Sequence, residues 1–109
     1  VSRMKVLSHP ASVDSIVTSA GTEDHVSMST HASEKALECA HQTSRVVGIE
    51  LLVAMDALDL RRPLKSGKRL EDRFKALRKV LPGHDGDRVL SPEIEQAAQV
   101  IEEGLLIRP

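Results

Sequence analysis

A chain of 109 residues makes at most one small domain, and its single aromatic side chain, Phe74, leaves the interior to Leu, Val, Ile, Ala and Met. That composition favours packed helices and argues against a sandwich or barrel, whose strands draw on aromatic and β-branched residues. With 15 Lys and Arg against 16 Asp and Glu the net charge is -1, which gives no electrostatic basis for a nucleic-acid or membrane-surface partner.

The opening VSRMKVLSHP has no initiator methionine, helix cap or turn signal at its start and reads as a chain entered midway. Residues 1–21 hold no sustained period of 3.6 or 2, and Pro10, Gly21 and six serines and threonines predict an irregular lead-in there. The lead-in and the loop after it are assigned to residues 1–24, and a helical segment to residues 25–109.

From His25 the pattern changes. Ala36, Ala40, Thr43, Val47, Leu51, Ala54 and Leu58 follow at steps of three or four, which places them on one stripe of a helix. Beyond position 46 the apolar residues spread round nearly the whole circumference, as in a central helix covered on several faces. It is predicted to run from about His25 to Leu60 and to stop near Arg61. Pro63 removes a donor and disfavours helical geometry at Arg62, while Arg61 and Arg62 suit the negative end of the dipole. Such a helix is about 50 Å long, more than a chain of this size can cover by itself.

A second helix is marked by Leu70, Phe74, Leu77 and Leu81, with Lys and Arg opposite, and Pro82 with Gly83 ends it. GHDGDRVL is then a polar loop. The third helix has the clearest start, with Ser91 as N-cap, Pro92 at the first helical position and Glu93 in the first turn; Gly104 ends it. The fold class is therefore all-α, a long central helix plus two shorter ones.

Few groups offer chemistry. His25, His31 and His41 lie on or near one helix, but at separations that do not share a face, so no metal site is expected. Cys39, the only cysteine, sits among Ala36, Leu37 and Ala40 and reads as a small core residue with a reduced thiol, which suits a cytoplasmic protein. No signal peptide is visible. The most apolar segment, 46–60, is too short to span a bilayer and carries Glu50, Asp56 and Asp59. The stretch TSAGTEDHVSMST remains. Thr22 could cap the long helix, with Glu23 and Asp24 meeting the unpaired N–H groups of its first turn, or the same residues could rim an active site.

The run KVLSHPASVDSIVTSAGTEDHVSM, residues 5–28, resembles the corresponding segment of histidine ammonia-lyases. The resemblance continues through GIELLVAMDALDLRRPLKSGK and DRVLSPEIEQAAQVIEEG, which are similar to the C-terminal helices of those enzymes. It implies a mostly helical homotetramer, with long central helices packed across subunits and active sites assembled from several chains. It also implies elimination of ammonia from an amino acid, L-histidine before tyrosine or phenylalanine, with urocanate as the product. The family's electrophile is a methylidene-imidazolone made from an Ala-Ser-Gly tripeptide, assisted by tyrosines. This chain has neither Ala-Ser-Gly nor tyrosine, so it resembles the C-terminal part of such an enzyme and is expected to be inactive alone.

Glu23 matches the family's active-site glutamate and is the expected catalytic and substrate-binding residue, with Thr22 beside it as a second substrate-binding residue. Thr22 stands where the family usually has glutamine, Val17 where it has proline, and Ser29 where it often has glycine. The partners implied are the amino-acid substrate and either further copies of the chain or the missing N-terminal part of the enzyme. The alternatives are a tyrosine or phenylalanine ammonia-lyase or aminomutase relative, and a non-catalytic helical remnant or assembly module.

Overall fold

The computed structural model describes residues 1–13, 16–22 and 26–105. Four α-helices and two short 3-10 turns follow one another, and no strand occurs among the described residues. The chain divides into two compact units, Val1–Gln42 and Thr43–Pro109.

The first unit begins with a short helix, α1 (Ser2–Leu7), where the sequence predicts an irregular lead-in. Arg, Met, Lys and Leu are good helix formers, but six residues are too few to display a period. Ser8 closes the helix by donating from Oγ to the Lys5 carbonyl at 2.7 Å, and Pro10 disfavours helical geometry at His9. Turns at Ala11–Val13 and Ser19–Gly21 lead to α2 (Ser29–Leu60). Arg3 reaches Glu38 at 3.7 Å, and Lys35 Nζ donates to the His9 carbonyl. No described residue of this unit is buried, and Val6, Val13, Ile16, Val17 and Leu37 are all exposed.

The long helix α2 has 32 residues, about 48 Å at the usual rise. It ends at Leu60, just ahead of Pro63, where the sequence predicts. Its start is later than the predicted His25. The hydroxyl of Ser27 accepts from the Ser29 N–H at 3.3 Å, and the Met28 carbonyl takes the first helical bond, from Ala32 at 2.9 Å.

The core lies in the second unit. Leu52 and Met55 of α2 pack with Phe74 of α3 (Lys68–Arg78), Leu81 of the following loop, and Ala97 and Val100 of α4 (Ser91–Glu102). The buried stripe of α2 is Gly48, Leu52 and Met55, rotated from the predicted stripe; Val47 and Ala54 are exposed. The reason is a close approach. A Cβ on Gly48 would lie 3.0 Å from the Ala98 backbone nitrogen and 3.2 Å from the Ala97 carbonyl carbon, so α4 crosses α2 at its one glycine. Val46, Val47, Ile49 and Val53 stay uncovered by these residues, as expected for a helix too apolar for its own chain.

On α3 the predicted core residue Leu70 is 52% exposed, and its neighbour Glu71 is buried in its place. Glu71 takes Arg62 Nη1 on both oxygens at 2.9 and 3.0 Å and the Ser66 N–H at 2.9 Å, while Arg62 stacks 4.8 Å from the Phe74 ring centroid. Arg62 chiefly, then the Ser66 N–H, holds the Glu71 carboxyl below the usual carboxylate range. α3 stops at Arg78, before the predicted Pro82, and the Leu77 carbonyl then takes both the Val80 and Leu81 N–H groups in a closing turn.

A charged network ties loop 79–90 to α2. Arg78 Nη2 contacts Asp56 at 2.8 Å and Asp59 at 2.6 Å. Arg88 reaches Asp56 at 3.2 Å and both oxygens of Glu93 at 2.9 Å, with His84 Nε2 3.3 Å from the same Glu93. The hydrogen bond from Arg78, ahead of that from Arg88, lowers the Asp56 pKa despite partial burial. Ser91 is the first residue of α4, not its predicted side-chain cap, and Leu90 precedes it without a side-chain bond. At the other end Gly104, at φ 68°, closes a Schellman turn. Its N–H bonds the Ile101 carbonyl at 3.0 Å, and the Leu105 N–H bonds that of Val100 at 3.2 Å.

Candidate active-site loop

The residues singled out from the sequence lie in the first unit, ahead of α2. Thr18 is extended, and then Ser19 at φ 50°, Ala20 at φ 52° and Gly21 at φ 84° are all left-handed. Two bonds of 3.0 Å close the turn, from the Gly21 N–H to the Thr18 carbonyl and from the Thr22 N–H to the Ser19 carbonyl. Glycine accepts this geometry freely, whereas Ser19 and Ala20 each carry a cost of about 1–2 kcal/mol. A Cβ on Gly21 would meet nothing within 4 Å, so its φ, not crowding, is what suits glycine there.

Thr22 returns to right-handed geometry and is exposed. It closes the turn and does not cap α2, whose first turn holds no acidic residue. The capping reading of the TED stretch is thereby removed for Thr22. Glu23, Asp24 and His25 lie outside the described residues.

Two cavities of the first unit are lined by residues other than those of the turn. One, of about 290 Å³, is lined by small and apolar residues including Ala11, Ser12, Val26, Met28 and Ala32, with no titratable group. The other, of about 710 Å³, lies among Arg3, Lys5, His9, His31, Glu34, Lys35 and Glu38. Arg3 meets Glu38 at 3.7 Å, His31 Nδ1 lies 3.9 Å from Glu34 and Lys35 Nζ donates to the His9 carbonyl, so its lining mixes basic and acidic groups. Cys39 is half-buried on α2. Among the described residues no cluster of His, Cys, Asp and Glu could hold a metal ion, and no helix is long and apolar enough to cross a membrane.

A helical chain organised on one long helix and led by a strained turn has a close structural counterpart. It matches the crystal structure of histidine ammonia-lyase from Trypanosoma cruzi with a TM-score of 0.86 and 39% identity, over 96% of this chain and 21% of that one. Residues 1–79 match the family model described as aromatic amino acid lyase, and the chain belongs to that family. Histidine ammonia-lyases from Desulfotalea psychrophila and Anaeromyxobacter dehalogenans are 46% and 48% identical to it, over 94% and 97% of its length. The chain spans about a fifth of those enzymes, 20% and 21% respectively.

Sequence reasoning missed the left-handed turn, because Ser and Ala give no signal for it. It also missed the Asp56 and Glu71 networks. Their partners are up to 32 positions away, and the only local sign was a pair of acids, Asp56 and Asp59, interrupting an apolar run.

Proposed function

We propose that this chain is the C-terminal part of an ammonia-lyase that converts L-histidine to urocanate and ammonia, and that it contributes Glu23, with Thr22 beside it, to the active site. The observation that carries the reading is the similarity to histidine ammonia-lyases over almost the whole chain. The elimination breaks the bond between Cα and the amino nitrogen and removes a proton from Cβ. At neutral pH a carboxylate at position 23 accepts a charge-assisted hydrogen bond from an imidazole N–H and favours the protonated ring; a phenyl ring offers no such donor. Thr22 supplies one hydroxyl, a single donor within short reach.

The residues here do not fit the family's prosthetic group. A methylidene-imidazolone requires a central serine that loses its hydroxyl, and in Ser19-Ala20-Gly21 the central residue is Ala20. The electrophile must therefore come from the rest of the enzyme. The exposed Val46, Val47, Ile49 and Val53 support burial of α2 against further copies of the chain or that remaining part. A homo-oligomeric enzyme without nucleic-acid or membrane partners follows from this reading.

The test is Glu23→Gln in the whole enzyme, with Asp24→Asn as control. Loss of a charge-assisted bond to the substrate should lower kcat/KM for histidine roughly tenfold or more, with the control nearly unchanged. Small and equal effects of the two substitutions would sink the role given to Glu23.

A further inference from the structure

We propose that the basic outer face of α3 is a docking surface for a second copy of this chain, whose acidic loop at Asp85 and Asp87 covers it. The stretch 61–79 holds nine of the 15 Lys and Arg and only two of the 16 acids, whereas residues 80–105 hold six acids and a single Arg, Arg88. A net charge of -1 thus conceals strong charge of opposite sign on successive segments of the second unit. The inference is independent of the role given to Glu23.

Folding uses some of these charges and leaves others. Arg62 is taken by Glu71, Arg78 by Asp56 and Asp59, and Arg88 by Asp56 and Glu93. Lys68, Asp72, Lys75 and Lys79 follow at helical spacing on the outer side of α3 with Arg69 beside them, all exposed, so one acid stands among four cations. Among the described residues no ion pair engages Lys68, Arg69, Lys79, Asp85 or Asp87. Like charges crowded on one face repel each other, and a surface of opposite sign relieves that repulsion and steers two molecules together.

Each charged set also carries apolar side chains. Leu64 and Leu70 are exposed among the basic residues, and Val89 and Leu90 are exposed next to the acidic loop. Exposed ion pairs alone contribute little, so these four supply the apolar part of the contact. The occupant is argued from the chain itself, since every copy bears both surfaces. A nucleic acid fits less well: the one aromatic ring, Phe74, is buried and offers no base a stacking partner.

The experiment is sedimentation of the full chain at about 50 and about 500 mM salt, with four variants. These are Lys68→Glu with Arg69→Glu, Asp85→Lys with Asp87→Lys, all four changes together, and Glu34→Lys with Glu50→Lys. The fourfold variant keeps the parent net charge, and the last matches the charge of the Asp85 and Asp87 variant with both surfaces intact. High salt should weaken association of the parent roughly tenfold, and each surface reversal should do the same at low salt. The fourfold variant should return to within about threefold of the parent, and the two single-surface variants should bind each other when mixed. Circular dichroism confirms that each variant is folded, and the fourfold arm decides if one is not. Association unmoved by salt and by reversal would be carried by the apolar side of α2 and would overturn the proposal. So would equal weakening by the Glu34 and Glu50 variant, which would mean net charge alone, or a fourfold variant that stays dissociated, which would mean that the two surfaces do not meet.

Discussion

Gly48 shows how one residue sets the packing of the second unit. The atoms nearest its missing Cβ are the Ala98 nitrogen, the Ala97 carbonyl carbon and the Ala97 Cβ, none of which can rotate aside as the far end of a longer side chain could. Gly48→Ala gains helix propensity worth up to about 1 kcal/mol, but it must push α4 away by a few tenths of an ångström. Because a close-packed core resists such shifts, a net loss of about 1 kcal/mol or more is expected from overpacking. Chemical denaturation of the protein would read it as a lower midpoint, and an unchanged or raised midpoint would show that α4 yields freely. Glu71 makes the complementary point about burial. A carboxylate is tolerated beside Phe74 because Arg62 and the Ser66 N–H occupy its oxygens, whereas Leu70, one position earlier, is left at the surface.

Between elements, loop 79–90 is held both by apolar contact, through Leu81 in the core, and by charge, through Arg88 on Asp56 and Glu93 beside Arg78 of α3 on Asp56. Asp56 and Glu71 have folded-state pKa values below those of the unfolded chain. The sign follows directly: the unfolded state binds the proton more readily, so stability from these pairs is complete above the unfolded values of about 4 and is lost as pH falls through the lower folded values. Melting temperature should therefore be flat near neutrality and decline below about pH 4, more steeply than in Asp56→Asn. A decline of the same steepness in that variant would show that Asp56 contributes nothing to acid sensitivity. The pairs are partly exposed, so added salt should narrow the difference.

At the scale of the whole molecule the two units differ in kind. Thr43–Pro109 has a core, whereas Val1–Gln42 has no buried described residue and leaves six large apolar side chains open. The chain spans about a fifth of the length of the related lyases it matches. The isolated chain should then show no urocanate formation, since nothing in it can form an adduct with the substrate amine. General acid–base assistance alone is worth only about 10²- to 10⁴-fold. It should also self-associate through the uncovered side of α2, which sedimentation would detect. A monomer unfolding sharply, or turnover clearly above background, would contradict this picture.

Local chemistry alone settles several features of this protein. The stop of α2 before Pro63, the end of α4 at Gly104 and the all-helical class follow from rules that act over a few residues, and the long run around Glu23 carries the family. Tertiary structure decides which arc of an over-apolar helix is covered. Periodicity defines a broad stripe, but the crossing at Gly48 selects Gly48, Leu52 and Met55 over Val47 and Ala54. It likewise decides that Glu71 goes inside, since the partner that neutralises it is nine positions away across a turn. The left-handed geometry of Ser19 and Ala20 lay beyond sequence reasoning for a related reason. Their own propensities oppose it, and a conformation disfavoured locally leaves no local signal.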